Sequence, residues 1–259
     1  MVGFQDDPGG GNKSTLLHAL VRKLSALGNL SREDIAFIEA TKAEWKPFRK
    51  GAEIVRVGDR YKAVLVMCEG WAYRCHTFSN GRRQILGFVL PGDFIALHVN
   101  FPRAADHSVV AICKSTVAMI PFARIEEIHR NHPRIAAALS YSTAEDHMRL
   151  GAHVSRLGRR DSYERMAHFL LELWDRLNVA NGAVSDSFDL PLTQEEIGDL
   201  LGMTVVHVNR TLKRLEASGL IVRQRRRIRI ADLAALKALA DYDSAPGSIV
   251  VPNAGQGIS

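Results

Sequence analysis

The sequence predicts an α+β protein: an antiparallel β-roll of the jelly-roll kind, then one long helix, then a small domain of short helices with a β-ribbon. Three observations predict it. Between Lys46 and Pro121, short β-rich runs such as AEIVRVG, KAVLVMCEG and VVAICKSTVAMI are punctuated by Gly51, Gly58, Gly70, Gly81, Gly87 and Gly92. Strands this short and this closely spaced suit an antiparallel roll. A helix-forming stretch follows from Pro133 to about Leu157. Beyond it, LTQEEIGDLLGMTVVHVNRTLKRLEASGLIVRQRRRIRI contains two short amphipathic segments joined at a glycine-containing break.

Taken in order, residues 1–13 are glycine-rich and polar and read as a tail leading into an amphipathic helix over Ser14–Ala26. The tail's GGGNKST resembles the end of a phosphate-cradling loop. However, Asn12 stands where the glycine before Lys13 belongs, Asp7 replaces the first glycine, and no strand aims the loop. LSREDIAFIEATKAEW reads as a second helix from the spacing of Ile35, Ile38 and Ala40. The roll then occupies the remainder of a first domain, residues 14–132. In the helix 133–158, Ile135, Leu139, Leu150, Val154 and Leu157 share one stripe, with Ser142 and Asp146 between them. So narrow and partly polar a stripe predicts a seam between two copies of the helix. Asp161 and Glu164 have capping-box spacing and open a new domain, residues 159–240. Residues 241–259 carry Gly, Pro and Ser without periodicity and read as a second tail.

The chain has 259 residues, 46% of them apolar, enough for two modest domains with real cores. No apolar run approaches the ~20 residues that span a bilayer, and the N-terminus lacks the pattern of a secretory signal, so a cytoplasmic protein is expected. Cys68, Cys75 and Cys113 are odd in number and have no zinc or iron–sulfur spacing. They read as reduced strand residues; no metal and no cofactor is expected.

Net charge is +6, and its placement is more telling than its size. Residues 204–230 hold eight arginines and lysines against the single acid Glu216, a net +7 that exceeds the charge of the whole molecule. A basic window on an otherwise balanced chain is the footprint of a nucleic-acid surface. The same window holds the amphipathic segments. Thr193 and Glu196 form a capping box for a helix through Leu201, and Thr204 caps a second helix that Gly219 ends. On the second helix Val208, Leu212 and Leu215 face inward, while Val206, Asn209, Arg210 and Lys213 face outward. Two helices joined by a three-residue turn make a helix-turn-helix, and LIVRQRRRIRI reads as a two-stranded wing. In a major groove, Arg210 would read guanine, Asn209 a base edge and Val206 a thymine methyl, with Lys213 on phosphate. His207 and Arg214 on this helix, the capping Thr193 and Thr204, and Arg225, Arg226 and Arg227 of the wing complete the expected DNA-binding set.

A β-rich roll, a long helix and a C-terminal winged helix-turn-helix over about residues 24–236 resemble a Crp/Fnr family transcriptional regulator. The resemblance implies a DNA-binding regulator without enzymatic activity: a homodimer joined through helix 133–158, with RNA polymerase as a further partner. Its two recognition helices would enter successive major grooves of a palindromic double-stranded site, about one turn or ~34 Å apart. It places Arg210 where the family reads guanine. Val206 stands where many members carry Glu and Asn209 where others carry Ser or Gly, so the half-site overlaps the family's only in part.

The run Asp106-His107-Ser108 admits three readings: a hydrolytic triad, a ligand pocket or a strand entry. Successive residues of an extended chain point to opposite faces, so His107 cannot meet both neighbours, and the triad fails. The resemblance assigns the run to the pocket that holds a cyclic nucleotide in some relatives. Those relatives use an Arg-Ser pair on the phosphate, a Glu on the ribose and a Thr-Ser pair on the adenine. Here His107-Ser108, Leu97 and Leu150-Gly151 stand in their places. Histidine is only part-charged near neutrality and lacks the bidentate fork of arginine, so cyclic AMP is not the expected effector. In a haem-binding relative, Cys-x-His stands where this chain has Ala96 and His98; the cysteine is missing. The run is therefore either a plain strand entry or part of a degenerate effector pocket that comprises Leu97, His98, His107, Ser108 and Leu150, for an effector of unknown identity.

Overall fold

The computed structural model describes residues 17–97 and 104–242. Two helices, α1 (His18–Leu27) and α2 (Arg32–Glu39), precede eight strands: β1 (Glu44–Phe48), β2 (Glu53–Val55), β3 (Val64–Glu69), β4 (Ala72–Thr77), β5 (Arg83–Val89), β6 (Phe94–Ala96), β7 (Ser108–Ala111) and β8 (Ser115–Ile120). They form two four-stranded antiparallel sheets, ordered β1-β8-β3-β6 and β2-β7-β4-β5. Val55, Met67, Ala72, Val89, Val109 and Val117 fill the space between the sheets. The β-roll read from the glycine-punctuated runs is thus present. The second helix is shorter than expected: it stops at Glu39, and Glu44–Phe48 instead pairs along β8. Pro47 fits there because β1 lies at a sheet edge, where a missing N–H costs no ladder bond.

Helix α3 (Phe122–Asn131) leads into α4 (Pro133–Arg159), where Pro133 sits in the first turn. The N-terminal half of α4 lies on α1 and α3. This overturns part of the expected seam. Ile135 is 0% and Leu139 4% exposed, both inside a core with Leu20, Leu24, Ile125 and Ile128 of the same chain. The C-terminal half has moved past that support and turns His153 and Arg156 inward, leaving Leu150 48% and Val154 63% exposed. Leu157 is half-buried and reaches toward Gly202 of the same chain.

After two linking residues, Arg160 and the N-cap Asp161, α5 (Ser162–Asn181) opens on a capping box in which Asp161 Oδ1 accepts from the Glu164 amide at 2.9 Å and Glu164 accepts from the Asp161 amide at 2.9 Å. Then come β9 (Ser187–Asp189), α6 (Gln194–Leu201), α7 (Val205–Ala217), β10 (Ile221–Gln224), β11 (Arg227–Ile230) and α8 (Leu233–Ala240). The wing has three strands, ordered β10-β11-β9, not two. Its third strand is only three residues long, too short for its alternation to mark it in the sequence.

The small domain rests directly on the roll. Met166, Phe169, Leu170 and Leu173 of α5 share one core with Trp71, Tyr73, Ile85 and Phe88 of the β4–β5 face. Polar contacts close the rim: Arg83 on β5 donates through Nε to Asp199 Oδ2 at 2.8 Å, and Gln84 donates to the Asp199 carbonyl at 2.7 Å. Deeper in, Asp93 is buried between Lys23 (2.7 Å) and Arg176. Burial works against its ionisation, but these two cations hold its carboxyl far below the usual carboxylate range.

Candidate nucleic-acid interface

Thr193 Oγ1 accepts from the Glu196 amide at 3.1 Å, and Glu196 accepts from the Thr193 amide at 2.7 Å, so both ends of the expected capping box are closed. Gly202 then ends α6 with a φ of +65°, the left-handed conformation that frees the chain to turn. Thr204 caps α7 by accepting from the His207 amide at 3.2 Å. Val208, Leu212 and Leu215 are buried against Ile197 and Leu201, which fixes the rotation of α7 and presents its other face to solvent.

That outer face holds the expected residues together. Val206 is 70% exposed, Arg210 and Lys213 are exposed, and Asn209 is half-buried between them. No described residue bonds to the Arg210 or Lys213 side chain, so both heads are available to a partner. Two other members of the set are held by the protein itself. His207 Nε2 lies 2.8 Å from Ser162 Oγ at the start of α5, and the Arg214 guanidinium stacks over the Tyr163 ring at 4.0 Å. These contacts tie the recognition helix to α5.

In the wing, Arg225 and Arg226 form the two-residue turn between β10 and β11 and are exposed. Arg225 adopts a φ of +55°, where a two-residue hairpin usually carries glycine. Arg227 is exposed but donates to Ser187 Oγ at 3.0 Å, and Arg223 is neutralised by Glu216. The +7 window therefore splits. Arg210, Lys213, Arg225, Arg226 and Arg229 present charge that no described residue holds, while Arg214, Arg223 and Arg227 also bind within the fold.

Gly198 was not foreseen as a site-building residue. A Cβ there would stand 2.5 Å from the Met203 carbonyl oxygen, so only glycine lets α6 approach the turn this closely. Gly198→Ala is expected to destabilise the domain by roughly 1–3 kcal/mol, because the obstacle is backbone. A denaturant titration that moves by less than ~0.5 kcal/mol would show that the turn relaxes freely.

The effector-pocket residues separate. Leu97, His107 and Leu150 line one cavity between the roll, α4 and α5. Ser108 does not line it: its hydroxyl accepts from the Val57 amide at 3.3 Å and lies 3.5 Å from Glu53, on the side of β2. His98 lies outside the described residues. His107 does meet Asp106, Nδ1 to Oδ1 at 2.6 Å, while the serine points elsewhere, as period-two alternation requires. The cysteines are free, with Cys68 and Cys75 buried, and burial pushes the Cys68 thiol up to about 12. Among the described residues no group of three or more His, Cys, Asp or Glu could hold a metal ion. Among the same residues, no helix is long and apolar enough to cross a membrane.

A helix-turn-helix with a free cationic recognition face, a basic wing and a β-roll beneath it define a DNA-binding regulator. Residues 164–239 match the Crp-like helix-turn-helix domain and residues 45–132 the cyclic nucleotide-binding domain. The chain is 40% identical over 200 residues to the nitrogen fixation regulation protein FixK of Bradyrhizobium diazoefficiens, covering 74% of this chain and 80% of that protein. It is 32% identical over 241 residues to the transcriptional activatory protein AadR of Rhodopseudomonas palustris, covering 86% and 92%. The solved structure of FixK2 from Bradyrhizobium japonicum superposes with a TM-score of 0.68 at 30% identity, covering 76% of this chain and 97% of that one. The chain belongs to the Crp/Fnr family and is a DNA-binding transcriptional regulator.

Proposed function

We propose that the protein acts in the cytoplasm as a homodimer that binds a palindromic DNA site and activates transcription through contact with RNA polymerase. Activation is the role printed in the name of AadR. The observation that carries the reading is the exposed face Val206–Asn209–Arg210–Lys213 on α7, together with the exposed Arg225–Arg226 turn of the wing. The arginine would read guanine, Lys213 and the wing would hold phosphates, and Thr193 and Thr204 at the helix starts would aim backbone N–H groups at the same strand. Leu150 and Val154, exposed on the outer end of α4, would pack against their copies in the partner.

Cyclic AMP is not the effector in this reading. Its phosphate needs an uncommitted cation, and the cavity's arginines all face acids. Arg74 lies 3.9 Å from Asp146, Arg149 binds Asp146 and Glu145, Arg156 binds Glu172 at 2.7 Å, and Arg176 binds Asp93. Burial opposes ionisation of Asp146, but Arg74 and Arg149 keep its carboxyl below the ordinary range, so these pairs stay charged. No catalytic step is assigned to any residue.

Salt dependence tests the interface. Removing one cation from a phosphate should reduce the slope of log K against log salt by about one. Arg225→Ala with Arg226→Ala is therefore expected to flatten the slope by about two. Arg227→Ala should have a smaller effect, since that side chain is shared with Ser187. A slope unchanged in the double variant would remove the wing from the interface.

A further inference from the structure

The cavity that receives Leu97, His107 and Leu150 has a volume of about 620 Å³ and extends beyond the roll to Phe169 on α5 and Leu200 on α6. It therefore touches both halves of the chain. Its walls are largely apolar, with Leu86, Phe88, Phe94 and Phe169 among them. The polar groups are almost all answered: each arginine faces a carboxylate, as described above. Two buried atoms of lining residues stand apart: Arg156 Nε, a donor on a guanidinium already paired with Glu172, and one acceptor. The acceptor, His107 Nε2, is buried and finds no partner among the described residues. Its other nitrogen faces Asp106 at 2.6 Å, and a carboxylate can only accept, so Nδ1 carries the ring proton. Nε2 is then a bare lone pair at the edge of an apolar cavity. A buried acceptor without a donor is costly, and a donor on a bound molecule would remove that cost.

We propose that this cavity binds an uncharged, predominantly aromatic small molecule that donates one O–H or N–H hydrogen bond to His107 Nε2 and spans from the β-roll to α5 and α6. The volume suits a drug-sized ligand. An anion is disfavoured because Asp146 and Glu172 already stand against the cavity's arginines and would repel it. The wall residues Leu86 and Leu200 adjoin Gln84 and Asp199, which join the two halves at 2.7 Å. Occupancy therefore bears directly on the seat of the helix-turn-helix. The inference rests on the reading that the cyclic-nucleotide determinants are lost; DNA binding itself does not depend on it.

The test uses the full chain and three probes: 2-naphthol, which is neutral and donates one hydrogen bond; 2-methoxynaphthalene, which has no donor; and cyclic AMP. Fluorescence titration should give 2-naphthol an affinity about tenfold above its methyl ether. In His107→Phe that advantage should vanish, while the ether binds as before. Leu86→Trp, which fills the cavity from a different wall, should weaken both. Each variant is also titrated against DNA at fixed salt, so that a lost fold is distinguished from a lost pocket. Equal affinities of the two naphthalenes in the unaltered chain would overturn the proposal, without any variant being needed. Cyclic AMP binding more tightly than 2-naphthol would overturn both the proposal and the reading beneath it. Unaltered DNA binding in that case would leave the regulator assignment standing.

Discussion

Replacing Arg210 by alanine is expected to lower affinity for the specific site by roughly ten- to a hundredfold and to relax the preference at one guanine in each half-site. The guanidinium projects from the face of α7 opposite the buried Val208, Leu212 and Leu215, and no described residue holds it. There it can donate two parallel hydrogen bonds to guanine O6 and N7, an interaction worth roughly 1–3 kcal/mol of discrimination. Lysine would restore charge without the fork, so Arg210→Lys should recover affinity more than selectivity. Lys213→Ala provides the contrast: a phosphate left without its cation should weaken every sequence alike. Selection of sites from random DNA with each variant distinguishes the two roles. Retention of the native preference at every position in Arg210→Ala would mean that α7 does not read bases through this residue.

The second large effect concerns α4. Leu150→Asp or Val154→Asp would place an unpaired carboxylate in a self-complementary apolar contact, once in each copy, at a cost of several kcal/mol per dimer. Sedimentation should then show folded monomers that no longer bind a palindrome but keep weak affinity for single half-sites. Leu139→Asp is expected to behave differently although it lies on the same stripe. Leu139 is buried among Leu20, Ile125 and Ile128 of its own chain, so its charge should unfold the first domain. A stable dimer carrying both outer substitutions would move the interface to another surface.

That contrast marks where sequence reading reaches its limit. Capping boxes at Asp161 and Thr193, the glycine turn and the inward triplet Val208, Leu212 and Leu215 were all legible, because each depends on residues within a few positions of one another. The stripe on α4 was legible as a stripe, but not as to its partners. Periodicity records that a face is apolar; it does not record that Ile135 meets α1 while Leu150 meets solvent. The same limit hid Gly198, whose constraint comes from the Met203 carbonyl across a turn. It also hid the pairing of Arg83 with Asp199, which are 116 residues apart. Ser108 was misplaced for a different reason. The resemblance put it beside a ligand, but in this chain the strand's alternation turns its hydroxyl toward β2.

The shared core of α5 and the β4–β5 face has a consequence for how the chain denatures. Trp71, Tyr73, Ile85 and Phe88 are covered on that side by Met166, Phe169, Leu170 and Leu173, so each half buries an apolar face only against the other. Melting one half strips apolar surface from the other, which couples their unfolding into a single cooperative event. Calorimetry should accordingly show one endotherm. A chain cut after Arg159 should be deprived of that cover and self-associate through the bared sheet. Two separated endotherms, or a soluble monomeric fragment, would show that the halves fold independently. The reader of DNA is then also a structural wall of the roll, and grafting it onto another roll would require transplanting the β4–β5 surface as well.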